Sequence, residues 1–274
     1  MTTTTRTAEP IPLVRLLTRP QPYETFSEQL WTLTERYACC RLQSIGQSAG
    51  GRSLYAVSIG GEGELPALVY AGGFSAADWL SSALLLRFLE EYARLLTEGG
   101  RLYRIHLPGL YARRRICVLP MANPDVFAAP PDSDRQTHDF RNGAMTDILL
   151  YFGEQAEMYP VEKCPESAAI RQYLRFQAPA LFCVFGTGSE NRLTVPPQPS
   201  SRAESTGRLL ARMSAAEVSK EPSPLSAVPA WYGAESGRPS YEATIGDDGT
   251  EDRFLSAYAG FREMLFTAPL LLQE

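Results

Sequence analysis

Apolar runs too short to be helices alternate with longer amphipathic segments, and this alternation restricts the fold more than any other feature of the chain. Ala67 to Ala71, Arg114 to Leu119 and Ala180 to Phe185 are short and apolar-rich, as expected of strands covered on both faces. Trp79 to Leu96 reads as a strongly apolar helix closed by Gly99-Gly100. Pro165 to Gln177 and Arg202 to Val218 read as further helices, and Phe254, Leu255, Tyr258, Phe261 and Leu265 mark a last one. Nearer the start, Phe26, Leu30, Leu33 and Tyr37 share one helical face. Leu42 to Ile45 and Ser53 to Ile59 follow as strands around the Gly-rich turn from Gly46 to Gly51, and Ser240 to Ile245 is a late short strand. Asn123-Pro124-Asp125 signals a turn, and Phe127 to Asn142, rich in Pro and Asp, reads as a long loop. Strands alternating with helices specify an α/β class with a mostly parallel or mixed sheet and helices on both faces. Residues 1–22 are expected to form a flexible lead and 23–274 a single domain.

Composition removes several function classes. The formal charge of −5 comes with no basic stripe, which argues against a nucleic-acid partner. No apolar run reaches the roughly 18 residues that a membrane-spanning helix needs. Met1 to Pro20 lacks the unbroken apolar stretch of a signal peptide, so a cytoplasmic location is expected. The five cysteines are odd in number and contain no C-x-x-C pair, so free thiols are expected rather than a disulfide framework or zinc knuckle. The two histidines, His106 and His138, leave little imidazole for metal binding or proton transfer.

The short motifs read mostly as structure. Gly46-Gln47-Ser48-Ala49-Gly50 fits G-x-S-x-G, but a nucleophile elbow needs a helix after the turn. Ser53 to Ile59 is β-patterned instead, so Ser48 belongs to a hairpin. Gly186-Thr187-Gly188 lacks the third glycine and following helix of a dinucleotide loop. His138-Asp139 reads as loop polarity, and His106 as a satisfied core or edge histidine.

Larger patterns carry a family resemblance. Ile45 to Gly60, reading I-G-Q-S-A-G-G-R-S-L-Y-A-V-S-I-G, resembles a hairpin of the zinc carboxypeptidase family, in particular its branch of bacterial γ-D-glutamyl-diamino acid peptidases. Pro66 to Ala71 resembles the strand before the first metal ligands. Pro120 to Asp125 is similar to P-x-x-N-P-D-G, with Val126 in place of the glycine. Glu166-Ser167 opening a helix, the strand to Phe185, and Pro239-Ser240-Tyr241 follow in the family's order. The resemblance implies a mixed twisted sheet of about eight strands and a zinc-bound water assisted by a glutamate.

At the positions the resemblance assigns to catalysis, the chain departs from the family. Gly72 to Trp79 keeps the frame of the H-x-x-E motif, but Ser75 stands for the histidine and Asp78 for the glutamate. Gly186 falls where the third ligand belongs, and Thr244 where the general base belongs. About 10–16 kcal/mol of zinc binding shared over four ligands is about 3–4 kcal/mol each. Asp78 alone would therefore hold zinc no better than at about millimolar concentration. Ser75-x-x-Asp78 ahead of an apolar helix instead reads as a capping box. No cofactor is expected, and the leading expectation is a non-catalytic member that binds a peptide or a cell-wall stem peptide. Arg52, Arg141 and Asn142 are the expected carboxylate contacts, since a guanidinium fork suits a carboxylate. Two alternatives are an enzyme rebuilt around Asp78, Glu242, His138 or Cys183, and a structural or regulatory subunit. Glu242, at a strand start, is expected to be exposed.

Overall fold

The computed structural model describes residues 20–61, 63–128, 139–153, 158, 160–196, 199–250 and 252–272. Most of the expected N-terminal lead, His138 and most of the expected long loop lie outside these residues. In chain order the elements are α1 (Tyr23–Arg36), β1 (Cys40–Gln47), β2 (Ser53–Ile59), β3 (Ala67–Ala71), α2 (Trp79–Thr97), β4 (Arg101–Leu102), β5 (Ile105–His106), α3 (Leu107–Tyr111) and β6 (Arg115–Leu119). They continue with α4 (Pro165–Gln177), β7 (Leu181–Gly188), β8 (Arg192–Thr194), α5 (Ser201–Met213), β9 (Glu217–Ser219), α6 (Ala227–Ser236), β10 (Ser240–Gly246) and α7 (Arg253–Thr267). Among the described residues no helix is long and apolar enough to cross a membrane.

Eight strands form one mixed sheet in the order β1-β2-β6-β3-β7-β10-β8-β9, and β4 and β5 form a separate small pair. The central run β6, β3, β7 and β10 is parallel, while β1, β2 and β8 join it antiparallel to their inner neighbours. This is the expected class and the expected strand number. The parallel strands are apolar on both faces because each face is covered. Leu68 and Tyr70 of β3, Cys183 and Phe185 of β7, and Tyr241, Ala243 and Ile245 of β10 pack with α1, α2, α5 and α7. Val69, Ala71, Phe182 and Val184 pack on the other side with α4 and α6. Tyr70, Phe88 and Phe266 meet edge to face at the centre of the first layer, and each fully buried ring contributes about 1.5–3 kcal/mol.

Several elements were not anticipated from the sequence, the short β4, β5, α3 and β8 among them, and two differences bear on the site's surroundings. The helix read over Arg202 to Val218 ends at Met213, and the chain turns into β9. Ser214 turns its hydroxyl back onto the Leu210 and Ala211 carbonyls, and Ala215 adopts φ +47°, which stops the helix. The unanticipated α6 contains a proline and a glycine. It is entered through a 3-10 turn, Pro224–Ser226, capped by Ser223, and is held by the burial of Val228 and Tyr232.

Candidate functional site

The parallel strands β3, β7 and β10 bring their carboxyl ends to one edge, the place where open α/β sheets form crevices. A cavity of about 280 Å³ lies there, and its lining includes Asp78, Gly186, Thr187, Arg192, Leu225, Glu242 and Thr244. Three positions singled out by the resemblance, Asp78, Gly186 and Thr244, thus meet around one space although they are far apart in sequence.

Asp78 ends the 3-10 turn Ala76–Asp78 that leads into α2, and it is 1% exposed. Its Oδ2 accepts the Ser75 backbone N–H at 3.0 Å and the Ser75 hydroxyl at 2.7 Å. The capping box expected of Ser75 and Asp78 is present. Its Oδ1 accepts the Thr187 N–H at 2.9 Å, which ties the start of α2 to the end of β7. Ser75 is fully buried, and its hydroxyl proton is committed to Asp78.

Gly186 is a glycine of close approach. A Cβ there would lie 2.7 Å from the Leu225 Cδ2 methyl and 3.6 Å from Asp78 Oδ1. Leu225, carried by the 3-10 turn before α6, therefore fills the space in front of Gly186, the position the resemblance assigns to the third ligand.

Glu242 corrects the expectation of exposure, being 3% exposed. Tyr241, Ala243 and Ile245 face the first core layer, so alternation turns Glu242 and Thr244 to the other face. That face carries the cavity. Glu242 Oε1 accepts the Ser223 hydroxyl at 2.7 Å and the Thr244 hydroxyl at 3.3 Å, and Oε2 accepts the Ser226 hydroxyl. Ser223-Pro224-Leu225-Ser226, the signature of a capped turn with proline in its first position, was the available sequence signal for this cluster. On the rim, Arg192 approaches Glu190 at 3.8 Å.

Zinc needs converging imidazole, thiolate or carboxylate ligands, three of them from protein even in an open catalytic site. Asp78 and Glu242 supply the cavity's buried carboxylates, and among the described residues that line it there is no imidazole or thiol. Among the described residues no group of three or more His, Cys, Asp or Glu is placed to hold a metal ion. Cys183 lies on the opposite face of β7, fully buried, where burial pushes its thiol well up from the ordinary range. His106 is exposed, and its Nδ1 accepts the Gly109 N–H at 3.2 Å.

The three residues expected to contact a substrate carboxylate each meet a carboxylate of the chain itself. Arg52 pairs with Asp125 at 3.0 Å. Asp125 also accepts the Ser48 hydroxyl at 2.6 Å, the Gly50 N–H at 2.8 Å and the Gly143 N–H at 2.9 Å. Burial pushes the Asp125 carboxyl up, but these four donors outweigh it and hold it below the usual carboxylate range. Ser48 is in the β1–β2 hairpin turn, as its β-patterned surroundings require, with Gly51 at φ +78° closing the turn. Asn142 is buried, donating to Glu166 at 2.9 Å and to the Lys163 carbonyl at 3.0 Å. Glu166 also accepts the Ala49 N–H at 2.8 Å, yet burial dominates and raises its carboxyl. Arg141 forms a two-pronged pair with Asp139, its nitrogens 2.7–3.1 Å from the carboxylate, and half of its side chain is exposed. Arg141, Asn142, Asp125 and Asp139 line a second hollow of about 320 Å³.

Comparison with known proteins agrees with this fold. Bovine thrombin-activatable fibrinolysis inhibitor, solved in complex with tick carboxypeptidase inhibitor, superposes with a TM-score of 0.71 at 17% identity, over 93% of this chain and 97% of that one. A carboxypeptidase A from Helicoverpa armigera gives 0.69 at 14% identity, over 92% and 74%. A metallo-carboxypeptidase from Burkholderia cenocepacia gives 0.68 at 12% identity, over 92% and 70%. No curated protein sequence matches the chain. Residues 28–147 match the zinc carboxypeptidase family, and the chain carries the metallocarboxypeptidase fold around a cavity of its own composition.

Proposed function

We propose that this chain is a non-hydrolytic relative of the zinc carboxypeptidases whose cavity binds the end of a peptide, with a cell-wall stem peptide as the first candidate. One observation carries the reading. At the positions matched to ligands and base, Ser75 is spent on Asp78, Gly186 has no side chain and faces Leu225, and Thr244 offers only a hydroxyl, while a cavity of about 280 Å³ persists among them. A threonine hydroxyl, hydrogen-bonded to a carboxylate, is a poor base near neutral pH. The groups that remain serve recognition: carboxylates held by fixed donors, an apolar wall from Phe140 and Leu225, and an arginine on the rim. Among the residues expected to grip a carboxylate, Arg141 alone has a guanidinium half open to solvent, while Arg52 and Asn142 brace the frame.

The test is metal analysis of the purified protein, turnover of γ-D-glutamyl peptides with and without a chelator, and calorimetric titration with the same peptides. The expected result is substoichiometric zinc, no turnover and saturable binding. Stoichiometric tightly held zinc with chelator-sensitive turnover overturns the proposal in favour of a divergent active metallopeptidase. Absence of peptide binding together with co-purification of a second chain overturns it in favour of an interaction subunit.

A further inference from the structure

We infer that the end of the molecule opposite the cavity is a docking face for an anionic lipid surface. The chain-wide charge of −5 hides a local excess: from Gly99 to Pro124 the sequence holds five arginines and no Asp or Glu. The fold gathers them. β3 and β6 run parallel with Ala67 opposite Arg115, so Arg115 stands at their amino ends, a full strand length from the carboxyl ends that border the cavity. Arg113 and Arg114 precede it, and Arg101 and Arg104 lie on the β4–β5 hairpin that leads into α3. Arg41 of β1 joins from the sheet edge, its guanidinium donating to the carbonyl of Gly60, which packs on the backbone of Arg114 and Arg115. Arg101 is the register partner of His106. The His106 ring and the Arg113 guanidinium lie 3.1 and 3.9 Å from the place a Cβ on Gly109 would take, so these cations share one face.

What holds these side chains leaves their charge free. Arg113 donates to the Gly109 carbonyl at 3.2 Å, Arg114 to the Leu272 carbonyl at 3.0 Å, and Arg115 to the Gly63 carbonyl. A carbonyl fixes a guanidinium without neutralising it, and among the described residues none of these arginines pairs with a carboxylate. Elsewhere pairing is common, as at Arg52, Arg94 and Arg262. Glu64 and Glu98 flank the face, and Glu98 is taken by Arg94. Two large apolar side chains stand out at the same end, Tyr103 at 42% and Leu270 at 54% exposure, the latter two residues before the carbonyl that holds Arg114. Tyr103 and Arg104 form the hairpin tip at φ +48° and +64°, left-handed positions that Asn-Gly would fill with less strain. Arg262 stacks on the Tyr103 ring and donates to its hydroxyl, which fixes the ring in place. Charge alone would suit any polyanion. An exposed ring with a polar end and an exposed leucine beside the charge favour a surface with an apolar interior, touched from outside and without a spanning helix.

The experiment is co-sedimentation of the full chain with vesicles of phosphatidylcholine alone and of phosphatidylcholine mixed with phosphatidylserine. Binding to the mixed vesicles only is expected, and it should weaken as salt is raised. An arginine near an anionic surface is worth about fivefold in affinity, so Arg101→Gln combined with Arg104→Gln should weaken binding by about twentyfold. Both side chains are exposed, so the fold should survive the change, which a thermal melt checks. Leu270→Ser should weaken binding while leaving its salt dependence as it was, which a purely ionic contact would not show. Equal binding to both vesicles, binding to neither, or full binding by the double variant overturns the inference. Retention on polyglutamate with no binding to the mixed vesicles overturns it in favour of an acidic protein partner. The vesicle comparison needs no variant, so the inference stays testable if a substitution impairs folding, and none of these outcomes bears on peptide binding at the opposite end.

Discussion

Asp125→Ala removes the carboxylate on which two separate stretches of chain converge: the β1–β2 hairpin turn, through Ser48, Gly50 and Arg52, and Gly143. Four donors lose their acceptor at once. The Asp125 side chain is 2% exposed and that of Arg52 29% exposed, while Gly50 and Gly143 are exposed and Ser48 is buried, so water replaces the lost partner more easily for the guanidinium and the two N–H groups than for the Ser48 hydroxyl. A net hydrogen bond to a charged group contributes about 1.5–3 kcal/mol, and breaking a buried ion pair costs about 3–5 kcal/mol. Because the bonds share one carboxylate they do not add fully, and a total of about 3–5 kcal/mol is expected. That is a large share of a typical stability of about 5–15 kcal/mol. At about 2–4 °C per kcal/mol for a domain of this size, the melting temperature should fall by about 6–20 °C in a calorimetric scan. Asp125→Asn should recover little, since its amide turns donors toward donors. A fall of less than about 2 °C in Asp125→Ala would refute the view that this carboxylate holds the loop frame together.

The remaining predictions concern acid, the cavity wall and the surface. Asp125 and Glu91 have carboxyls held below their unfolded values, for Glu91 because Arg262 and Tyr258 outweigh a burial that pushes it up. Their stabilisation is therefore present above the ordinary carboxylate range and lost as pH falls through the lower folded values; urea midpoints against pH should show it, with a smaller acid loss in Asp125→Ala. Glu166, raised by burial, has the opposite sign, its contribution being lost as pH rises through its folded value. Gly186→Ala should cost about 1–3 kcal/mol because its Cβ meets the Leu225 methyl at 2.7 Å. Adding Leu225→Ala should then cost less than in the parent background, as a double-mutant cycle would measure. Arg141→Ala should leave the melting temperature unchanged, since its pair with Asp139 is solvated on both sides.

Much of the architecture was legible because it rests on periodicity. β3, with residues 67–71 as its bounds, was readable as a five-residue apolar run, and α2 as a leucine-rich stretch ended by glycines. The capping role of Ser75 and Asp78 followed from spacing alone, because both partners lie within one turn. Glu242 was misread because an acidic residue at a strand start carries no local sign of what covers it. Its hydroxyl partners come largely from a turn sixteen to nineteen residues earlier, which only the fold brings near. Arg52 illustrates the same limit: its residue type fits a substrate carboxylate, but the nearest carboxylate is Asp125, 73 positions along the chain.

The packing of Leu225 against Gly186 also bears on how the chain can change over time. An imidazole introduced at 186 must first displace that leucine, and the short turn carrying Leu225 also holds the two serines that hydrogen-bond Glu242. A first step toward a metal site at this position thus disturbs an unrelated set of bonds before any ion is gained. Building such a site by single substitutions runs uphill, and a laboratory selection for metal dependence should succeed only when the turn is remodelled before ligands are introduced.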